Sequence, residues 1–273
     1  MKQRHSPSEG TGTALPYAHA SEGGLGHERL IDRRRVTHRT RFKVLAIDIG
    51  GTNVKMLATG AEERRRFPSG RGMTPEQMVQ SVKHLATGWE YDAVSIGYPG
   101  RVVRGTVLTE PRNLGPGWVG FDFEAAFGCP VRLMNDAAMQ ALGSYEGGLM
   151  LFLGLGTGLG SAVVADGVVI ATELGHLPFK KKTYEDYLGV RGLNRLGKKK
   201  WRKVLEFGIA RLVSAVHPDD VVLGGGNVRK LKELPAGCRA GGNAFAFVGG
   251  FRMWEHEQVA GSPAGTAEHL RTQ

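Results

Sequence analysis

Three glycine-rich turns, each entered from a short apolar run, hold the residues of this chain best suited to handling phosphate. The first is Asp48-Ile49-Gly50-Gly51-Thr52-Asn53, entered from the apolar Val44–Ile47 and left through Val54–Leu57. Adjacent glycines let backbone N–H groups approach an anion closely, and Thr52 and Asn53 add side-chain donors. Asp48, at the strand end, could hold a hydrated Mg²⁺ against a phosphate. The second turn, Gly156-Thr157-Gly158-Leu159-Gly160, repeats the strand, glycine turn, strand design; the third is Gly224-Gly225-Gly226-Asn227. An ordinary hairpin would use the first set equally well, so one turn decides little. Three at strand ends in one chain carry more weight than any one of them.

Phosphorylating a hydroxyl also needs a base beside the acceptor oxygen. Asp136 is the candidate: it follows the apolar Val131–Met134 and precedes Ala137–Tyr145, a good helix sequence. An Asn-Asp pair at that place also suits a helix N-cap. Glu173 and His176 lie three apart where a strand exits into a loop, so both can face one cleft. Between Lys180 and Lys203 ten Lys and Arg residues are opposed only by Glu185 and Asp186. Such a run is usually a solvated face. A polyphosphate chain would nonetheless gain from it by counterion release, as nucleic acid does. Lys198, Lys199 and Lys200 open an expected helix over 199–216, where positive charge opposes the helix dipole unless it serves an anion.

The elements that would position these residues are legible from pattern. Thr74-Pro75-Glu76 supplies an N-cap, an N1 proline and an acidic first turn for a helix over 74–85. Ala93–Ile96 reads as a strand ending in Gly97-Tyr98-Pro99-Gly100, followed by a strand pair over 101–108 turning at Arg104-Gly105. Asn113 to Trp118 is a loop, 121–127 a short helix, and Asp166-Gly167 a hairpin turn into Val168–Ala171. Trp201, Val204, Leu205, Ile209, Leu212 and Val213 have helical spacing over 199–216. Val221–Leu223 is a strand feeding the third glycine turn, with a helix expected behind it.

At 273 residues and 41% apolar content the chain can bury a substantial core. No apolar run approaches the ~20 residues of a membrane span, and a secretory signal is not evident, so a cytoplasmic protein is expected. Net charge +10 favours polyanionic partners. Residues 1–41 read as a basic leader, or as the product of an upstream start codon, and 256–273 as a tail. The folded part is expected as a small lobe over 42–134 and a large lobe over 135–255.

Taken together, Ile47-Asp48-Ile49-Gly50-Gly51-Thr52, Asn135-Asp136-Ala137, Glu173-Leu174-Gly175-His176-Leu177-Pro178-Phe179 and Tyr184-Glu185-Asp186-Tyr187 resemble the ROK family of sugar kinases, over roughly residues 44–255. Arg191-Gly192-Leu193, Gly197–Trp201 and Gly249-Gly250-Phe251-Arg252 add to the likeness. Lys180-Lys181-Lys182 stands where most members carry a cysteine-rich zinc loop, so no structural zinc is expected, and the polyphosphate-using branch of the family shares that departure. The resemblance implies an α/β, two-lobed, actin-like ATPase and sugar kinase fold with a central cleft. It makes Asp136 the base and places Asn135, Glu173, His176 and Glu185 on the sugar, with Asn113 reaching over from the small lobe. Gly50, Gly51, Thr52, Asn53, Gly156, Thr157, Gly158, Gly224 and Gly225 would line the phosphates, and Asp48 would hold Mg²⁺. The implied reaction moves a phosphoryl group from polyphosphate, or ATP, to the 6-hydroxyl of glucose, with Lys198–Lys200 as a polyphosphate groove. An ATP-dependent hexose kinase acting on glucose or mannose and a non-catalytic sugar-binding regulator are the alternatives. Neither nucleic acid nor membrane is expected as a partner; a homodimer stays open.

Overall fold

The computed structural model describes residues 42–242 and 244–255. The expected leader and tail lie outside those residues. The elements in order are β1 (Val44–Ile49), β2 (Asn53–Ala58), β3 (Arg65–Pro68), α1 (Pro75–Leu85), β4 (Ala93–Tyr98), β5 (Val102–Val103), β6 (Thr106–Val107), α2 (Phe123–Phe127), β7 (Val131–Asn135) and α3 (Asp136–Ser144). There follow β8 (Leu149–Leu155), β9 (Leu159–Ala165), β10 (Val168–Thr172), β11 (Pro178–Phe179), β12 (Lys182–Thr183), α4 (Tyr184–Leu188), α5 (Val190–Val216), β13 (Asp220–Gly224), β14 (Cys238–Ala240) and α6 (Phe245–Arg252).

Two five-stranded sheets repeat one topology. The first runs β3-β2-β1-β4-β7 and the second β10-β9-β8-β13-β14. In each, a central strand pairs antiparallel with the next strand in the chain and parallel with a strand that follows a crossover. The two halves are therefore the same unit twice, as the repeated glycine turns implied.

Strand alternation decides what each face meets. On β1, Leu45, Ile47 and Ile49 enter one core with Met78 and Val82 of α1, Phe123 of α2, and Trp118. The other face of β1 carries Ala46, then Asp48. Likewise Leu151, Leu153 and Leu155 of β8 pack with Trp201, Leu205 and Ile209 of α5. Met150 and Phe152 turn the other way, toward Ala138 and Ala141 of α3. So α1 and α2 cover the outside of the first sheet, α5 the outside of the second, and α3 and α6 fill the space between.

These two inner helices nearly touch at the backbone. A Cβ added at Gly143 of α3 would fall on the carbonyl oxygen of Phe245, and one at Gly249 of α6 on that of Met139. A Cβ added at Gly250 would lie 2.7 Å from that of Ala46 of β1, and Ser95 Oγ donates to the Gly250 carbonyl at 2.6 Å. Trp254 Nε1 in turn donates to Ser95 Oγ at 2.8 Å. Arg252 Nη1 closes the assembly by donating to the carbonyls of Leu142, Gly143 and Tyr145, the free end of α3.

The helix expected over 199–216 is present: Gly197, with φ 71° and ψ 158°, separates it from a shorter helical stretch that starts at Val190. The helix expected behind the third glycine turn is a single 3₁₀ turn, Val228–Lys230. Strands β3 and β14 and helices α4 and α6 carry too little periodicity in their few residues to be read from sequence.

Because Gly143 and Gly249 face immovable backbone atoms, alanine at either should cost more than an ordinary overpacked site, about 3 kcal/mol or more of unfolding free energy. Urea denaturation of G143A and G249A measures this; midpoints equal to wild type would show that the helices can move apart freely.

Candidate active site

The inner faces of both sheets end at one cleft of about 970 Å³, entered between the first and second glycine turns. It is lined by Asp48, Gly50 and Gly51 from the first half and by Gly156, Thr157 and Gly158 from the second. Gly225 and Gly226 of the third turn, Asn113, Asn135, Asp136, Glu173, His176 and Glu185 complete the set of expected residues there. Thr52, Asn53 and Gly224 do not line it. Thr52 and Asn53 serve the hairpin itself, their carbonyls accepting from Ser69 and Gly50 N–H at 3.0 Å each. Gly224 ends β13 against Phe152 and Gln140.

The turns are held by other elements. Ser69 Oγ donates to the Gly50 carbonyl at 2.5 Å. The Gly156 carbonyl accepts from Asn227 Nδ2 at 2.8 Å and from Val190 N–H at 3.0 Å, tying the second turn to the third and to the start of α5. Asn113 packs on Gly51, where a Cβ would lie 3.1 Å from its own.

Asn135 and Asp136 divide the two readings of their position. The cap is Asn135, whose Oδ1 accepts from Ala137 and Ala138 N–H at 3.0 and 3.2 Å while its Nδ2 donates to the Gly100 carbonyl at 3.1 Å. One amide hydrogen of Asn135 is left for a ligand. Asp136 is the first helical residue, and its Oδ1 accepts only from Ala137 N–H, at 2.8 Å. Burial in the cleft floor, reinforced by the charges of Asp48 and then Glu173, pushes its carboxyl up to about 7. A carboxylate poised there can take a proton at neutral pH.

Glu173 and His176 stand on a 3₁₀ turn, Leu174–His176, pinned by Ser161 Oγ, which accepts from Leu174 N–H at 3.0 Å and donates to the Thr172 carbonyl at 2.9 Å. Gly175 is required between them: a Cβ there would sit 2.6 Å from the Leu159 carbonyl oxygen. His176 Nδ1 lies 3.7 Å from Glu173 Oε2, and both side chains are more than half exposed. Glu185, on α4, lays a carboxylate oxygen over Gly158 and accepts from Arg191 Nη2 at 2.8 Å.

Lys198, Lys199 and Lys200 are exposed and outside the cleft. They occupy the first turn after the Gly197 break, so their charge does oppose the helix dipole. Elsewhere the basic run is less free than a solvated face. Lys180 sits 5.8 Å from the ring centres of Phe179, Tyr187 and Phe207, and Arg195 sits 4.8 Å from that of Tyr187.

The sequence reading missed Lys55, Arg101, Thr109, Glu110, Arg112 and Gln140, all on the cleft wall. Lys55 could have been found, since hairpin register makes it the cross-strand partner of Asp48, and its Nζ meets Asp48 Oδ2 at 2.9 Å. The others depend on how the 99–113 loop folds back.

The ROK family profile matches residues 44–192. The chain belongs to the ROK family. Polyphosphate glucokinase of Mycobacterium tuberculosis is 30% identical over 206 residues, covering 67% of this chain and 77% of the relative. Among solved structures, inorganic polyphosphate/ATP-glucomannokinase from Arthrobacter sp. strain KM superposes with a TM-score of 0.66 at 25% identity, covering 77% of this chain and 96% of that one. A ROK family glucokinase from Streptomyces griseus, in complex with glucose and AMPPNP, gives a TM-score of 0.63 at 19% identity over 78% of this chain and 99% of that one, a likeness of fold. This ROK protein thus has the actin-like ATPase and sugar kinase fold, and it is a phosphotransferase with a sugar hydroxyl as acceptor. No helix among the described residues is long and apolar enough to cross a membrane.

The raised Asp136 pKa fixes two signs. Activity that needs the ionised form should rise about tenfold per pH unit below 7 and level off above it. The folded chain holds this proton more tightly than the unfolded chain, whose aspartyl group sits near 3.8. Stability from this group therefore falls as pH rises from about 4 to about 7. D136N should lose turnover by about 10² or more, yet melt at a higher temperature than wild type at pH 8 and at the same temperature near pH 4. Equal melting at both pH values would show that Asp136 is not strained by its ionisation.

Proposed function

We propose that this ROK kinase transfers a phosphoryl group from inorganic polyphosphate, with ATP as a second donor, to the 6-hydroxyl of glucose. The observation that carries the reading is the meeting, in one cleft, of Asp136 with Gly50-Gly51, Gly156-Thr157-Gly158 and Gly225. Asp136 takes the hydroxyl proton. Glu173, His176 and Glu185 accept and donate to the sugar hydroxyls, with the remaining Asn135 amide hydrogen and Asn113 across the cleft. Vicinal hydroxyls need such paired partners, because an unmatched polar group costs about 1–3 kcal/mol once buried.

Among the described residues no three His, Cys, Asp or Glu side chains gather as a metal cage. Asp48, beside the first glycine turn, offers one hard carboxylate donor instead. That fits Mg²⁺, which keeps several waters and shares its coordination with substrate phosphates. Asp48 would hold the ion, with Lys55 steadying the carboxylate, and the bound ion would neutralise charge on the phosphates.

Two things support polyphosphate as donor. The relatives above include a polyphosphate glucokinase and a polyphosphate/ATP-glucomannokinase. The chain also leads from the cleft residue Glu185 through Arg191 and Arg195 to Lys198–Lys200, a basic path that ATP, held by the glycine turns, would not need. A long polyanion leaving the cleft gains from each such charge by counterion release.

Replacing Lys198, Lys199 and Lys200 together with Gln should raise the KM for polyphosphate several-fold and flatten its dependence on salt, while ATP-dependent turnover stays near wild type. Initial rates of glucose 6-phosphate formation with each donor test this. Equal losses with both donors would make the lysines structural, and wild-type protein inactive with polyphosphate would leave an ATP-dependent hexose kinase.

A further inference from the structure

Two arginines on the cleft wall have no role in the reading above. Arg101 follows Pro99-Gly100 at the end of β4, and Arg112 immediately precedes Asn113. Both line the same cleft as Asp136 and the glycine turns. Lys55, the cleft's other Lys or Arg, is neutralised by Asp48. Among the described residues neither arginine side chain has an ion pair or a hydrogen bond, although Asp136, Glu173 and Glu185 line the same cavity.

The backbone around Arg101, by contrast, is tied down. Arg101 N–H donates to Thr109 Oγ1 at 3.4 Å, and its carbonyl accepts from Leu108 N–H at 2.9 Å. Tyr98 Oη, from a fully buried ring, donates to the Thr109 carbonyl at 2.8 Å. Glu110, one possible acidic partner, is committed elsewhere: its two oxygens accept from Trp118 and Val119 N–H at 3.1 and 3.2 Å. The loop is thus anchored beside Arg101 and through Thr109 and Glu110, and it brings two un-neutralised guanidiniums to the cleft.

Their places differ. Gly100, next to Arg101, accepts from Asn135 at the base of α3, so Arg101 starts beside the candidate base. Asn113, next to Arg112, packs on Gly51, so Arg112 starts beside the first phosphate turn. We propose that Arg101 and Arg112 clamp the phosphoryl group during transfer, from the first-sheet wall, opposite the second glycine turn. Guanidinium forks match phosphate oxygens two at a time and keep their charge at every working pH. Phosphoryl transfer spreads charge over the equatorial oxygens, which is where such donors act. The proposal rests on the kinase reading but not on the choice of donor.

The phosphoryl group reaches these arginines either on the donor or as the new phosphate of the product, and kinetics separate the two. R101Q, R112Q and the double variant would be assayed with ATP and with polyphosphate, together with inhibition by glucose 6-phosphate. Each single change should lower donor kcat/KM about 10-fold, as loss of a charged hydrogen bond does, with the KM for glucose within about twofold of wild type. R101K and R112K should recover only part of the loss, because the charge returns without the fork. A fall in donor kcat/KM places the clamp on the donor; weakened inhibition by glucose 6-phosphate alone places it on the product. Unchanged donor kinetics and unchanged product inhibition overturn the clamp, as does a change confined to the KM for glucose. Wild-type protein that uses ATP alone would remove polyphosphate as donor while the arginine effect, read with ATP, still decides the clamp.

Discussion

Backbone contact between α3 and α6 sets the geometry on which the cleft depends. At Gly143 and Gly249 the helices approach so closely that no side chain intervenes, which fixes their separation and leaves little freedom of rotation. Each helix belongs to a different sheet: α6 lies on Ala46 and Ser95 of the first, and α3 on Met150, Phe152 and Val222 of the second. The distance between the sheets is therefore the distance between these two helices. Arg252 reinforces it by filling the three carbonyls at the end of α3.

That contact also aims the chemistry. Asp136 begins α3, so its carboxylate stands wherever the far end of the helix is anchored. Asp48 arrives on the face of β1 that carries Ala46, the face α6 covers, one strand repeat further toward the cleft. Burial, and then the nearby charge of Asp48, raise the Asp136 carboxyl to about 7. A site whose base is costly to ionise needs a rigid frame; otherwise the carboxylate would turn out to solvent and lose its basicity. The glycines that permit close helix packing and the aspartate proposed to take the proton are thus parts of one arrangement.

The duplicated topology explains the division of labour in the cleft. Each half contributes one hairpin turn of small residues, and the crossover strands β4, β7 and β13 deliver further groups at their carboxyl ends. Carboxylates and the imidazole that suit a sugar come from the second half and from α3. The two guanidiniums without partners among the described residues come from the 99–113 loop of the first. Opposite charges face one another across the cavity without meeting, an arrangement suited to a neutral acceptor and a highly charged donor held side by side.

Much of this was legible in the residues. Local pattern determined the two glycine hairpins, because alternation of apolar residues and paired glycines act over a few positions. It likewise determined α1, through its Thr74 cap and Pro75, and the strand-to-helix junction at Asn135-Asp136. The spacing of Glu173 and His176 placed them on one loop. Only the tertiary structure decided which of Asn135 and Asp136 caps the helix, since that turns on a backbone angle and on the Gly100 carbonyl supplied from elsewhere in the chain. It alone showed that Gly197 interrupts α5, that the Thr52 and Asn53 carbonyls close the first turn, and that Gly249-Gly250 makes close helix and strand contact. It alone brought Arg101 and Arg112 to the cleft. Propensity and periodicity report on neighbours a few residues apart, whereas these outcomes are set by contacts between segments far apart in the chain, such as Ser95 with Gly250, where sterics and unpaired charge leave no trace in local pattern.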